Sequence, residues 1–267
     1  MLRRAITYRA SEPPVARWFG IRDRNARGTI ARCAVRGTLI AHRDDVIGSP
    51  LTKSTPSNPD VERLSRSAVT CNVCFETLGV HRARVAHAQP RWIGADYWHT
   101  RPRVAFLLLN PGSGESRNDR MDVRFNRLLE EYAAGSRPLE DVLAHEREDM
   151  PNWGRGRFLQ FYSSHLGLRL DRIAFLNVAW CATKNNVYPD PMLAECFARH
   201  TFPLLRILRP DLLLLSGSKT RPFHAEIAAG LPEARVEPML HYAHREGAVA
   251  EAAELQRVKL ILQSVAG

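Results

Sequence analysis

The sequence predicts an α/β fold in which a largely parallel β-sheet is covered by helices on both faces. Three observations carry that expectation. Four short runs are continuously apolar, the pattern of strands buried on both faces rather than of strands with one wet face. Stretches with helical spacing separate those runs, as in consecutive β-α-β units. The 267 residues correspond to one large domain with an appendage when a domain takes roughly 150 residues.

In chain order, the first run is Arg103-Val-Ala-Phe-Leu-Leu-Leu109, which ends in the turn Asn110-Pro-Gly-Ser-Gly-Glu115 before helical spacing sets in from Asp122 to Ala133. The second, Ile173-Ala-Phe-Leu-Asn-Val-Ala179, precedes a helical stretch from Met192 to Leu208. Leu212-Leu-Leu-Leu-Ser216 follows and leads into a helix over Ser218 to Ala229. The last, Arg235-Val-Glu-Pro-Met-Leu240, ends at His241-Tyr-Ala-His-Arg245, and Gly247 to Val265 reads as a closing helix. Ligands of such sheets bind outside the carboxyl ends of the strands. The residues that follow each run are therefore the candidate site.

Residues 1–60 belong to none of this pattern. They carry 11 basic and five acidic residues and finish in a stretch rich in Pro, Ser and Thr, so they read as a basic extension with little fixed structure. Residues 61–267 form the folded domain. The whole chain has 38 Lys and Arg against 28 Asp and Glu, and 34 of the 38 are Arg, a balance that favours phosphate-bearing partners. A hydrophobic content of 45% excludes a disordered chain, and no apolar run approaches the roughly 20 residues that cross a bilayer. Five cysteines, an odd number, without a secretory apolar segment point to a reducing compartment, the cytoplasm, and away from a disulfide scaffold.

The cysteines are the strongest chemical signal. Cys71-Asn-Val-Cys74 places two thiols one turn apart, and Cys181 and Cys196 follow with 14 residues between them. Four thiolates close a metal site, and zinc and an iron-sulfur cluster both accept them; spacing alone does not decide between the two. Cys33 lies in the extension, outside this set. At the strand ends, the Gly- and Pro-rich turn after the first run presents backbone N–H groups suited to an anion. Asn177 sits inside an apolar run, where an amide must find partners. His241, His244 and Arg245 gather at the end of the fourth run.

Leu108-Leu-Asn-Pro-Gly112, Asn177 with Cys181, Pro210-Asp-Leu-Leu-Leu-Leu-Ser-Gly217 and His241-Tyr-Ala together resemble the ordered motifs of the uracil-DNA glycosylase superfamily, over about residues 68–250. The order and spacing of Cys71, Cys74, Cys181 and Cys196 are similar to its iron-sulfur branches, families four and five. The resemblance implies a three-layer α/β/α sandwich around a four-stranded, mostly parallel sheet, a 4Fe-4S cluster rather than zinc, DNA as partner, and a monomer of the bacterial cytoplasm or nucleoid. Family four carries Gly-Glu-x-Pro-Gly at the first motif, whereas Leu109 here stands at the Glu position and Asn110 precedes Pro-Gly. Asn-Pro-Gly resembles instead the mismatch-specific uracil/thymine glycosylases, whose Asn holds the attacking water. The last motif is His-Tyr-Ala in place of His-Pro-Ser, with His244 as a competing alignment.

Base excision assigns work to these residues. A base must leave the stack, at a cost of a few kcal/mol, and be read in a pocket. The amide of Asn177 offers one acceptor and one donor, matching N3–H and O4 of uracil and mismatching cytosine. His241 is the candidate donor to the O2 of the departing pyrimidine anion, and Asn110 the residue that orients water at the anomeric carbon. Backbone amides after Pro111, at Gly112 and beyond, are placed to contact the base or a phosphate. Phe125, with Met121 as the alternative, is expected to stack on the flipped base, and Arg245 to fill the gap in the duplex or bind a phosphate. Trp92, Tyr97 and Trp98 are expected to pack on the sheet or the cluster. The competing expectation is a non-hydrolytic glycosylase-fold iron-sulfur protein that binds DNA or abasic sites.

Overall fold

The computed structural model describes residues 58–112 and 119–266; the basic extension up to residue 57, with Cys33, and residues 113–118 of the first strand-end turn lie outside the described residues. The four apolar runs form one sheet. Strands β1 (Val104–Leu108), β2 (Ile173–Asn177), β3 (Leu212–Ser216) and β4 (Arg235–Met239) are all parallel, in the order β2-β1-β3-β4. Every residue of β1, β2 and β3 is buried, as two-sided cover requires. Strand β4 lies at the edge, and Pro238 is tolerated there because its missing N–H faces away from β3.

Side chains alternate across this sheet and seed two cores. Ala105, Leu107, Ala174, Leu176, Leu213 and Leu215 pack on one face beneath α1 (Pro59–Val69), α3 (Asp119–Ala133) and the helices that follow β2. Phe106, Leu108, Phe175, Leu212 and Leu214 point to the other. There they meet the aromatic helix α5 (Arg157–Tyr162) and the closing helix α9 (Ala248–Ala266) through Leu255, Val258 and Ile261. The result is an α/β/α sandwich of three layers. Among the described residues no helix is long and apolar enough to cross a membrane.

The helices depart from their expected bounds for local reasons. Helix α1 starts at Pro59, inside the stretch assigned to the extension, because the side chain of Asn58 accepts from Asp60 N–H (2.9 Å) and Pro59 occupies the first turn. A short helix α2 (Val73–Thr77) carries Cys74. Helix α4 (Leu139–Asp149) follows α3. The stretch from Met192 to Leu208 is helical but not uniform: α6 (Asp190–Cys196) passes through a π turn (Phe197–Thr201) into α7 (Phe202–Leu208). Pro203 cannot donate to the preceding turn, and the wider turn accommodates it. Pro222 likewise holds Ser218–Phe223 in a 3-10 turn before α8 (His224–Gly230).

Candidate functional site

The strand order reverses between β1 and β3, so a crevice is expected at their carboxyl ends. Asn110, Pro111 and Gly112 leave β1 there, Asn177 ends β2 opposite Leu108, Gly217 leaves β3, and His241 follows β4 by two residues. The fold thus gathers the candidate residues of three distant motifs at one sheet edge. Gly217 (φ 89°) belongs at this point for two reasons: its backbone is left-handed, and a Cβ would sit 3.3 Å from that of His241.

His241 is held by its surroundings in one protonation state and one tautomer. Burial, and secondarily the charge of His244, lower its pKa to about 4, so the ring is neutral near pH 7. Its Nδ1 accepts from Ala243 N–H (3.2 Å), which places the proton on Nε2. The neutral imidazole therefore offers a single N–H donor from its far side. Beneath it, the buried hydroxyl of Tyr162 accepts from Tyr242 N–H (3.3 Å) and shares a hydrogen bond with Ser216 Oγ, locking the ends of β3 and β4 together. His244 has a different task. Its side chain is 6% exposed, Nδ1 accepts from Glu246 N–H (3.3 Å) and Nε2 bonds Glu251 of α9 (2.9 Å).

Asn177 is 1% exposed. With its amide turned to satisfy both ends, Oδ1 accepts from Arg91 Nε (3.2 Å) and Nδ2 donates to the Leu176 carbonyl (3.1 Å); the Pro111 nitrogen, 3.1 Å away, has no hydrogen to give. One amide hydrogen and one lone pair remain for a base edge. Arg91 was not visible as a site residue in the sequence. It is 6% exposed, its guanidinium bonds Glu146 (1% exposed) and lies 4.3 Å over the ring of Trp153, and Trp153 Nε1 donates to Asp149 Oδ2 (2.7 Å). A buried ion pair thus backs Asn177 at the strand ends.

The expected stacking platform is placed otherwise. Phe125 is 4% exposed and its ring stacks on His145 at 4.6 Å, tilted by 16°, within the packing of α3 on α4; Met121, one turn earlier, is half-buried. Arg245 is exposed and lines a cleft of about 480 Å³ with Arg157, His165 and His244. Trp92 and Tyr97 pack in the two cores, Trp92 donating to the Leu170 carbonyl (2.8 Å), and Trp98 lies edge-on to Tyr97.

The four cysteines sit on four elements: Cys71 after α1, Cys74 in α2, Cys181 just past β2 and Cys196 at the end of α6. All four are free, and three are buried. Burial pushes the thiols of Cys74, Cys181 and Cys196 up, the last to about 12, and each is raised further by the neighbouring cysteines. The Trp180 N–H donates to Cys196 Sγ (3.2 Å), a bond that favours a thiolate. The donor set is all sulfur, water is largely excluded and a backbone donor is in place, which suits a thiolate-ligated metal group. Among the described residues no three His, Cys, Asp or Glu side chains converge as around one bound ion.

No protein-family model and no curated protein matches the chain.

Proposed function

We propose that this protein is a DNA base-excising hydrolase that cleaves the N-glycosidic bond of uracil, or of a related deaminated base, and leaves an abasic site. The observation that carries the reading is His241: a neutral imidazole with its proton on Nε2, at the sheet edge shared by Asn110 and Asn177. A donor in that state stabilises the negative charge that develops on O2 as the pyrimidine departs, without first giving up a proton.

The rest of the edge supplies the remaining parts. Asn177, recessed and steadied by Arg91, has a donor for O4 and an acceptor for N3–H of uracil, so a base is read only after it has entered the cleft. Asn110 orients the water. That water adds to the anomeric carbon as the glycosidic electron pair passes to the base, which leaves as the anion and is protonated afterwards. Cys71, Cys74, Cys181 and Cys196 would hold a 4Fe-4S cluster in this reading, and it would supply a structural cross-link between their segments rather than redox chemistry. The arginine excess supplies the phosphate contacts.

Anaerobic purification with an iron and zinc assay, followed by incubation with a uracil-containing oligonucleotide and alkaline cleavage of the product, tests this. The expected result is iron, strand cleavage at uracil, and loss of cleavage in Asn110→Ala. Iron with tight DNA binding and no cleavage would select the non-hydrolytic, abasic-site-binding protein instead.

A further inference from the structure

Between α4 and α5 the chain makes one turn of left-handed backbone. Gly154, Arg155 and Gly156 have φ of 57°, 58° and 84° in succession, and Arg157 N–H closes the turn on the carbonyls of Trp153 and Gly154. Glycine enters this region freely, whereas a residue with a Cβ does so at a cost. Among the described residues the others that do so are Asn185, Asn186 and Arg209. Asparagine tolerates the conformation. Arg209 caps α7, its N–H bonding the Leu205 carbonyl (2.9 Å), where left-handed backbone is ordinary. Neither explanation applies to Arg155, which the extended Trp153 (φ −65°, ψ 133°) separates from the helical turn before it. A third glycine would relax the backbone there, and a strained side chain is kept in such a place where function uses it.

Both feet of the turn stand on the groups assigned to the base. On one side the Trp153 ring lies 4.3 Å from the Arg91 guanidinium, whose Nε bonds Asn177 Oδ1 (3.2 Å). On the other, a Cβ on Gly154 would overlap the ring of Tyr242, and that ring lies 4.4 Å from His241 and 5.4 Å from Phe158 of α5, between centroids. Held at both ends, the turn leaves Arg155 and Arg157 exposed. Arg157 pairs with Glu251 (2.7 Å), the carboxylate that also bonds His244, and it lines the 480 Å³ cleft together with the exposed Arg245. Arginines therefore border the strand end that carries His241, and the carboxylate among them is already paired.

We infer that the Gly154–Gly156 turn is a phosphate clamp on the DNA-binding face, holding Arg155 against the backbone of the strand whose base is taken up between Asn177 and His241, with Arg157 and Arg245 beside it. This rests on the base-excision reading for the identity of the polyanion. A guanidinium suits a phosphate because its N–H groups match two phosphate oxygens at once. Fixing the backbone beneath it removes part of the ordering cost of binding. Contacts of this kind set the position of the strand and carry no sequence information.

The test uses the full chain and a DNA duplex carrying a tetrahydrofuran abasic-site analogue, which the protein cannot cleave, with Kd measured between about 50 and 200 mM salt. Arg155→Gly is expected to raise Kd about 10-fold, the worth of one charge-assisted contact. The slope of log Kd against log salt is expected to flatten by about 0.9, the signature of one lost phosphate contact. Its denaturant midpoint is expected to stay at the wild-type value, since relief of the left-handed backbone offsets the freedom that glycine adds to the unfolded chain. Arg209→Gly makes the same replacement of a left-handed arginine at the opposite edge of the sheet, and is expected to leave both Kd and slope unchanged. Arg155→Asn, which also tolerates the conformation, decides the matter if Arg155→Gly does not fold. An unchanged slope in Arg155→Gly, equal flattening in Arg209→Gly, or a wild-type chain that does not bind the duplex would overturn the clamp. Binding that depends on Arg155 in a chain that releases no uracil would keep the clamp and remove the hydrolase reading.

Discussion

Replacing His241 by alanine is expected to lower kcat for uracil release by about 10²- to 10³-fold, the usual cost of deleting one preorganised donor to a developing anion, with little change in KM. His241→Gln, which keeps an N–H donor, is expected to recover part of the loss. Because the imidazole is held neutral, its pKa lowered to about 4 by burial and by His244, kcat is expected to show no transition near pH 6.5, the ordinary histidine value. The ring C–H resonances of His241 should titrate with a midpoint near 4. The same shift affects stability. The unfolded chain takes up this proton near pH 6.5 and the folded chain only near 4, so the contribution is full above 6.5 and is lost as pH falls through that window. A wild-type rate that rises or falls about a midpoint of 6.5, with the same midpoint in the His241 resonances, would remove the neutral donor from the mechanism.

Replacing Arg91 by alanine is expected to destabilise the fold by about 3 to 5 kcal/mol, the cost of stranding a buried charge. Glu146 is 1% exposed and would be left without its guanidinium partner, while Trp153 would lose the cation over its ring. The joint replacement Arg91→Met with Glu146→Leu removes both charges and is expected to regain most of that loss, since apolar side chains of similar volume substitute for a buried ion pair at little net cost. Denaturant midpoints at constant slope measure both. The double variant should nevertheless excise uracil poorly, because Asn177 Oδ1 no longer receives the Arg91 N–H. A stable double variant with full activity would show that the ion pair serves the fold alone.

What was legible in the sequence followed from complete burial. The strands β1, β2 and β3 are apolar throughout because both faces are covered, and a continuous run survives any error in phase. The polar residues that end those runs were legible for the same reason: Asn177 stands out only because its neighbours are apolar. Helix α4 was hidden by the opposite circumstance. Its inward positions are Leu139, Val142, His145, Glu146 and Asp149, so the buried stripe turns polar halfway along and the apolar period that marks a helix disappears. Arg91 was missed because it lies in irregular chain, where no spacing distinguishes a buried functional group from a solvated one. Phe125 was assigned by distance along the chain from the first strand-end turn, and the packing of α3 against α4 turns its ring onto His145.

The π turn between α6 and α7 sets an angular offset. One extra residue in a helical turn rotates everything before it by about 100° relative to everything after. Cys196 ends the segment before that turn, and Leu204, Leu205 and Leu208 pack the sheet from the segment after it. In an uninterrupted helix, the direction of the cysteine and the packing face of the leucines would be locked together by the 3.6-residue period. Here they are set separately, so the sulfur can face the other three cysteines without turning a leucine out of the core.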